Sequence, residues 1–389
     1  MSSNEVLNLA RSVAIRLRDH GFEGWLVGGC VRDLLLRRDP KDCDVSTSAY
    51  PEQIVAMFPH AILVGAHFGV VLVKEGPAQV EVATFRSDGV YSDGRRPDQV
   101  MFESDVRKDL LRRDFTINAL LMDAVTSQIH DFVGGREDLA SHLIRAIGDP
   151  RERFREDHLR MMRAIRFAAR FGFAIEAGTW AAIRAERDSI GRISSERVTA
   201  ELARILTEGG ASRGMALLRE SGLLAIVLPE ARNFEVLARL RSPEFELALA
   251  SILLEDDRGV ERLRLSNEER NRVLTFIANH PRFGQLGAMS LHQQKRFLRM
   301  KDFDQQLELY RAAVSCDARY DYVRALRESM SDEMLWPPRL LTGEDLKELG
   351  VPAGPQFADL LKGLEDEQLE GRVTTRAEAE ALVKARISM

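Results

Sequence analysis

Asp42-Cys43-Asp44, followed by Val45-Ser46-Thr47, sets two carboxylates two residues apart at the start of a β-rich run. In an extended strand positions i and i+2 share a face, so both side chains converge. Carboxylates that close repel unless a cation lies between them or one takes a proton. Mg²⁺ takes oxygen ligands from one or two carboxylates plus substrate phosphates, the donor set of two-metal phosphoryl transfer. Alone, the pattern equally describes two exposed acids on an edge strand. Upstream, Trp25-Leu26-Val27 runs into Gly28-Gly29, and Arg32 lies ten residues before Asp42. Glycines at a strand-to-helix turn let backbone N–H groups approach an anion, and Arg32 could add a full charge to a triphosphate. A lone Gly-Gly is also simply a tight turn. It is neither G-x-G-x-x-G nor a Walker loop.

A second constellation lies in residues 156–173, where Asp157, Arg160, Arg163 and Arg166 recur every three residues in a run that reads as one helix. Each i+3 step rotates the position by about −60°, making Asp157 and Arg160 neighbours while Arg166 sits about half a turn away. A carboxylate accepts from the amino groups of cytosine and adenine, and a guanidinium donates to their ring acceptor. Uracil and guanine oppose like groups and leave buried partners unpaired. Asp157 with Arg160 could therefore choose two bases without a template. The alternative is a surface i,i+3 ion pair. Arg112-Arg113-Asp114, at the end of a helix expected to be capped by Ser104, leads into Phe115–Ala119, which reads as a strand. Glu81 is either a third carboxylate near the first pair or a solvent-facing strand residue. His130-Asp131 has no matching histidine spacing and reads as a strand end before Gly134-Gly135.

These groups need a scaffold. Glu5–Asp19 has helical apolar spacing, and short β-rich runs follow at 25–27, 45–47, 70–73, 80–85, 117–122 and 129–132. Residues 86–103 read as a long polar loop. After Gly148 the strand signals stop and helical segments continue, among them Ser195–Thr207 and Arg213–Ile226. The expected architecture is α+β: a catalytic head over 1–137, a helical neck over 138–205, and an all-α body and tail over 206–389. The formal charge of −5 over 389 residues conceals a cancellation, with −5 in 1–150, +4 in 151–204 and −4 in 205–389. A mildly acidic total thus does not exclude a polyanion held by local arginines. The three cysteines, Cys30, Cys43 and Cys316, show no C-x-x-C spacing, which argues against disulfide partners and for a reducing, cytoplasmic location. No apolar run approaches the ~20 residues of a membrane span.

Gly28-Gly29-x-Val31-Arg32-Asp33 with Asp42-x-Asp44 resembles the polymerase-β-like nucleotidyltransferase superfamily. More narrowly it resembles bacterial class II tRNA nucleotidyltransferases (CCA-adding enzymes) and their poly(A) polymerase relatives. The resemblance implies Mg²⁺ at Asp42 and Asp44, and the triphosphate at Gly28, Gly29 and Arg32. Arg112-Arg113-Asp114-Phe115-Thr116-x-Asn118-Ala119 resembles the ribose-recognition motif, placing Arg113 beside the nucleotide with Asp114 and Asn118 toward the ribose hydroxyls. Glu156-Asp157-x-x-Arg160 resembles the base-selecting motif, with Arg163 and Arg166 on the same nucleotide site. Residues 86–103 correspond to a mobile loop of the family. The implied activity is template-independent addition of C, C and A from CTP and ATP to the 3′ end of tRNA, gripped at its acceptor arm, with pyrophosphate released. Poly(A) addition, or CC-only or A-only addition, is the alternative.

Overall fold

The computed structural model describes residues 3–65, 69–89, 99–314, 317–352, 354 and 356–387. It divides into two compact units, Met1–Phe234 with Arg258–Leu265, and Glu235–Asp257 with Ser266–Met389. The boundaries expected at 137/138 and 205/206 both fall inside the first unit.

The first unit begins with α1 (Ser3–Asp19), which lays Val6, Leu9, Val13 and Leu17 against a seven-stranded sheet. In chain order the elements are β1 (Gly24–Val27), α2 (Gly29–Leu35), β2 (Asp44–Thr47), α3 (Pro51–Met57), β3 (Ala61–Gly65), β4 (Val70–Glu75) and β5 (Ala78–Thr84). There follow β6 (Arg86–Asp88), β7 (Val100–Phe102), α4 (Val106–Leu111), β8 (Leu121–Met122) and β9 (Ile129–His130). The sheet order is β3-β4-β5-β2-β1-β8-β9. Its β2–β5 pairing is parallel and sets Asp44 opposite Glu81 and Val45 opposite Val82. Along β5, Val80 and Val82 are buried and Glu81 is exposed, the period-2 alternation of a sheet with one covered face. Val27, Phe85, Leu110, Leu121 and Ile147 close the core behind the strands that carry the acids.

Several local expectations change. Phe115–Ala119 is not a strand; Thr116–Asn118 is a 3-10 turn. Its side chains explain why: Thr116 donates to Asp138 at 2.6 Å and Asn118 to Asp114 at 3.0 Å, a local alternative to a ladder. Asp105, not Ser104, caps α4 by accepting from the Arg107 N–H. The segment 86–103 is not wholly a loop, because β6 and β7 pair as an antiparallel ribbon. Gly94-Arg95-Arg96-Pro97 lies outside the described residues. Asp131 accepts from the backbone N–H groups of Val133, Gly134, Gly135 and Arg136, so it shapes the turn into α5 (Gly135–Ala140).

The helical part of this unit is built on α6 (Pro150–Glu156), α7 (Arg160–Phe171), α8 (Ala177–Glu186), α9 (Ser195–Thr207) and α10 (Ala211–Ser221). Two short strands interrupt the expected all-helical stretch: β10 (Leu143–Ile144) pairs in parallel with β11 (Ala174–Ile175). The helix expected over Arg213–Ile226 ends at Ser221, where Gly222 takes a left-handed conformation, and resumes as α11 (Leu224–Val227). Arg166 of α7 is 2% exposed and donates to Glu201 of α9 and to Glu208 at 2.9 Å. A buried charge is tolerated only when paired. Glu201→Ala therefore leaves Arg166 with Glu208 alone and is expected to cost about 3 kcal/mol. Thermal denaturation should then shift down by roughly 10 °C. A shift below about 2 °C would mean that the pair holds nothing together.

The second unit is helical throughout its described residues. One apolar cluster gathers Phe283, Phe297, Leu307 and Tyr310, and another Leu341, Leu346, Leu364 and Val383. Thr342 caps the helix Gly343–Glu348 in a reciprocal box with Asp345. No helix of the described residues is long and apolar enough to cross a membrane.

Candidate functional site

β1 delivers the chain to Gly28, whose φ of 79° lies in the left-handed region. A Cβ there would stand 3.3 Å from Arg113 Nη1 and 3.8 Å from Asp44 Oδ2. The glycine therefore permits both the turn and the approach of an arginine and a carboxylate to bare backbone. Arg32, one turn into α2, is buried and donates to Asp33 at 2.8 Å and to Asn118 Oδ1 at 2.5 Å. Burial lowers its pKa and Asp33 opposes that.

Asp44 opens β2, while Asp42 and Cys43 form the extended approach to it. Burial pushes the Asp44 carboxyl up to about 6; Arg113 opposes this and the neighbouring Glu81 and Asp42 reinforce it. The strand register thus brings a third carboxylate beside the expected pair. Cys43 points away into the core, where a hydrogen bond with Cys30, then burial, push its pKa up and keep it a thiol. Cys30 and Cys43 are both buried and form no disulfide; Cys316 lies outside the described residues. Arg113 donates to Ser46 and to the buried Asp109, each at 3.2 Å. Asp114 is buried, and Arg163 with the Asn118 hydrogen bond outweighs the effect of burial and brings its carboxyl down to about 2. Both Arg163 bonds go to Asp114 Oδ2, at 2.6 and 2.9 Å.

Residues 156–173 are two helices, not one. Asp157 ends α6 and its side chain accepts from the Leu159 N–H at 3.1 Å, while its carbonyl accepts from Arg160 at the start of α7. An aspartate bonds the backbone two residues ahead more readily than it continues a helix, which breaks the run here. Asp157 and Arg160 are accordingly not a surface ion pair. Arg197 of α9 grips Asp157 at 2.8 Å, and Arg160 is held by Glu156 and by the carbonyls of Arg153 and Arg112, each at 3.0 Å.

Gly28, Gly29, Arg32, Asp42, Asp44, Arg113, Asp157, Arg160, Arg163 and Arg166 all line one cavity of about 520 Å³. Arg166 differs from the rest, since Glu201 and Glu208 take its N–H groups. Arg112 of the ribose-recognition motif lines the cavity too, and so do Lys41, Arg170, Arg197 and Arg204, which no sequence motif marked. A weak signal existed for Arg197, which stands one turn before Glu201 on an amphipathic helix. Nε of Arg113 and Nη1 of Arg197 are buried with no hydrogen-bond partner among the described residues. The cavity therefore combines acids at one place, an excess of cations around them, and donors ready for an anionic molecule. Among the described residues no three His, Cys, Asp or Glu side chains are grouped to hold a metal by themselves. Asp42 and Asp44 would hold an ion only together with oxygens from substrate and water.

Residues 24–145 match the model of the poly A polymerase head domain, and residues 172–235 that of the probable RNA and SrmB-binding site of polymerase A. The chain is 40% identical to a CCA-adding enzyme of Geobacillus stearothermophilus over 70% of this chain and 71% of that one. It is 34% identical to the CCA-adding enzyme of Levilactobacillus brevis over 98% of both. The crystal structure of the Bacillus stearothermophilus CCA-adding enzyme in complex with CTP superposes with a TM-score of 0.83 at 30% identity, covering 97% of each chain. The Thermotoga maritima CCA-adding enzyme complexed with tRNA has the same fold, with a TM-score of 0.70 at 21% identity, covering 100% of this chain and 99% of that one.

Proposed function

This chain belongs to the CCA-adding enzyme family, and from that premise we propose how its own residues carry out the family's reaction. It adds C, C and A to the 3′ end of tRNA from CTP and ATP, without a nucleic-acid template, and releases pyrophosphate. Relatives matched along nearly the whole chain favour this activity over poly(A) synthesis. The observation that carries the site assignment is that the carboxylate pair and the base-reading pair line one cavity.

Asp42 and Asp44 would hold Mg²⁺. The fit rests on Asp44, a partly buried carboxyl pushed up first by burial and then by the neighbouring Glu81 and Asp42, because a divalent cation among these acids removes their repulsion. Their all-oxygen donor set matches Mg²⁺ rather than a soft metal. When bound, the ion lowers the pKa of the tRNA 3′-hydroxyl and neutralises charge developing on the leaving pyrophosphate. Arg32 and the bare backbone at Gly28-Gly29 hold the triphosphate, and Arg113 faces it from beside Asp44. Asp114 and Asn118 orient the ribose, with Arg163 keeping Asp114 ionised. Arg166 lines the same cavity with its charge offset by Glu201 and Glu208.

Base choice follows from hydrogen-bond polarity. Asp157 accepts from the amino group at cytosine N4 or adenine N6, and Arg160 donates to cytosine N3 or adenine N1. Uracil and guanine would set carbonyl against carboxylate and N–H against guanidinium. The test of the metal assignment is pyrophosphate release measured in step with CMP and AMP incorporation. Both should stop in EDTA and return with added Mg²⁺. Incorporation that persists in EDTA contradicts the role given to Asp42 and Asp44.

A further inference from the structure

Phe167 of α7 lines the cavity and is 4% exposed. Three guanidinium groups stand around its ring: Arg166 with Cζ at 4.3 Å from the centroid, Arg32 at 5.2 Å and Arg163 at 5.5 Å. Phe171, one turn on, stacks on it with the ring planes 3° apart and has Arg32 at 4.7 Å on its own ring. Arginines this close repel one another in a partly dry pocket. Carboxylates offset part of that, since Arg163 has Asp114, Arg32 has Asp33, and Arg166 has Glu201.

A further acid at position 167 would hold the cations more tightly but would weaken the positive potential a triphosphate needs. A phenyl ring attracts through its quadrupole, carries no net charge, and contacts the guanidinium group without occupying an N–H. A leucine fills similar space and lacks that attraction.

We propose that Phe167 is a positioning residue of the nucleotide site, whose ring holds Arg32 and Arg163 at the cavity wall without occupying an N–H of either, so that their bonds to Asp33, Asn118 and Asp114 stay in place. This rests on the reading of the cavity as the CTP and ATP site. A purely packing role requires only an apolar side chain of this shape. A positioning role requires the electrons of the ring.

The experiment replaces Phe167 in the full-length chain by 4-fluoro-, 3,5-difluoro- and 3,4,5-trifluorophenylalanine, which keep shape and progressively drain the ring face. Phe167→Leu completes the series, and KM and kcat are measured for CTP and ATP on tRNA lacking its end. The expected result is a KM that climbs with each fluorine to about tenfold, with kcat within twofold and an unchanged melting temperature in the fluorinated chains. Phe167→Leu should match or exceed the trifluoro chain in KM. A flat KM across the fluorinated series, with the unmodified chain active, overturns the inference and leaves the nucleotide reading intact. No incorporation by the unmodified chain overturns both.

Discussion

Replacing Asp42 and Asp44 together by alanine is expected to reduce nucleotide incorporation at least about a thousand-fold, equivalent to ~4 kcal/mol of transition-state stabilisation. The two residues would hold the ion that neutralises the leaving pyrophosphate, and the other carboxylates of the lining are already bonded, Asp33 to Arg32, Asp114 to Arg163, Asp157 to Arg197 and Glu208 to Arg166. The loss should appear in kcat, with nucleotide affinity falling far less, because Gly28, Gly29 and Arg32 still meet the triphosphate. The fold should survive. A carboxyl whose folded-state pKa is raised contributes stability that is fully present below its unfolded pKa and is lost as the pH rises through the folded value, here about 6 for Asp44. At pH 7 that contribution is absent, so removing the side chain should leave the melting temperature within a few degrees of wild type. Rates within tenfold of wild type in a folded Asp42→Ala, Asp44→Ala chain would remove these residues from the chemistry.

Asp157→Ala and Arg160→Ala, made separately, should each narrow the preference for CTP and ATP over UTP and GTP by about a hundred-fold. On the proposed reading wrong bases would leave the carboxylate and the guanidinium facing like groups, a penalty of about 1–3 kcal/mol for each unpaired buried partner. Deleting one member removes the penalty as well as a favourable bond. Incorporation of C and A therefore falls while that of U or G rises relative to it. The measurement is kcat/KM for each of the four nucleotides on the same acceptor. Unchanged ratios would show that base choice lies elsewhere in the cavity. Asp157 rests on Arg197 and Arg160 on Glu156 in this structure, so a base read by the pair would have to exchange or share those partners.

The features legible in the sequence are those fixed by short spacing. Gly28-Gly29, Arg32 and the Asp42/Asp44 pair follow from one turn and one strand start, and the structure sets them on one wall of a cavity. The alternation of Val80, Glu81 and Val82 located β5, but only the parallel register with β2 brings Glu81 beside Asp44. Periodicity failed at Asp157, where a side chain that bonds forward to Leu159 breaks a run that looks continuous by its arginines. It failed again at Phe115–Ala119, whose polar side chains find partners at Asp114 and Asp138 and fold the segment into a turn. The helix spacing set Arg166 half a turn from Asp157, yet its partners Glu201 and Glu208 come from α9 and the residue that follows it, beyond any local pattern. The same holds for Arg197, which joins the site through the packing of α9 against α7, whereas Lys41 stands beside Asp42 and Phe167 beside Arg166 in sequence and neither residue type marks a site by itself. The net charge of −5 likewise gave no hint of a cavity crowded with arginines.

The central claim is that one cavity both catalyses nucleotidyl transfer and limits it to C, C and A. It is tested most directly by sequencing the 3′ ends of a tRNA lacking its terminal trinucleotide after incubation with the protein, Mg²⁺ and all four nucleoside triphosphates at equal concentration. The predicted product is a single population ending in CCA, with no further residue added. Long adenosine tails, or ends carrying U or G in proportion to supply, would contradict it.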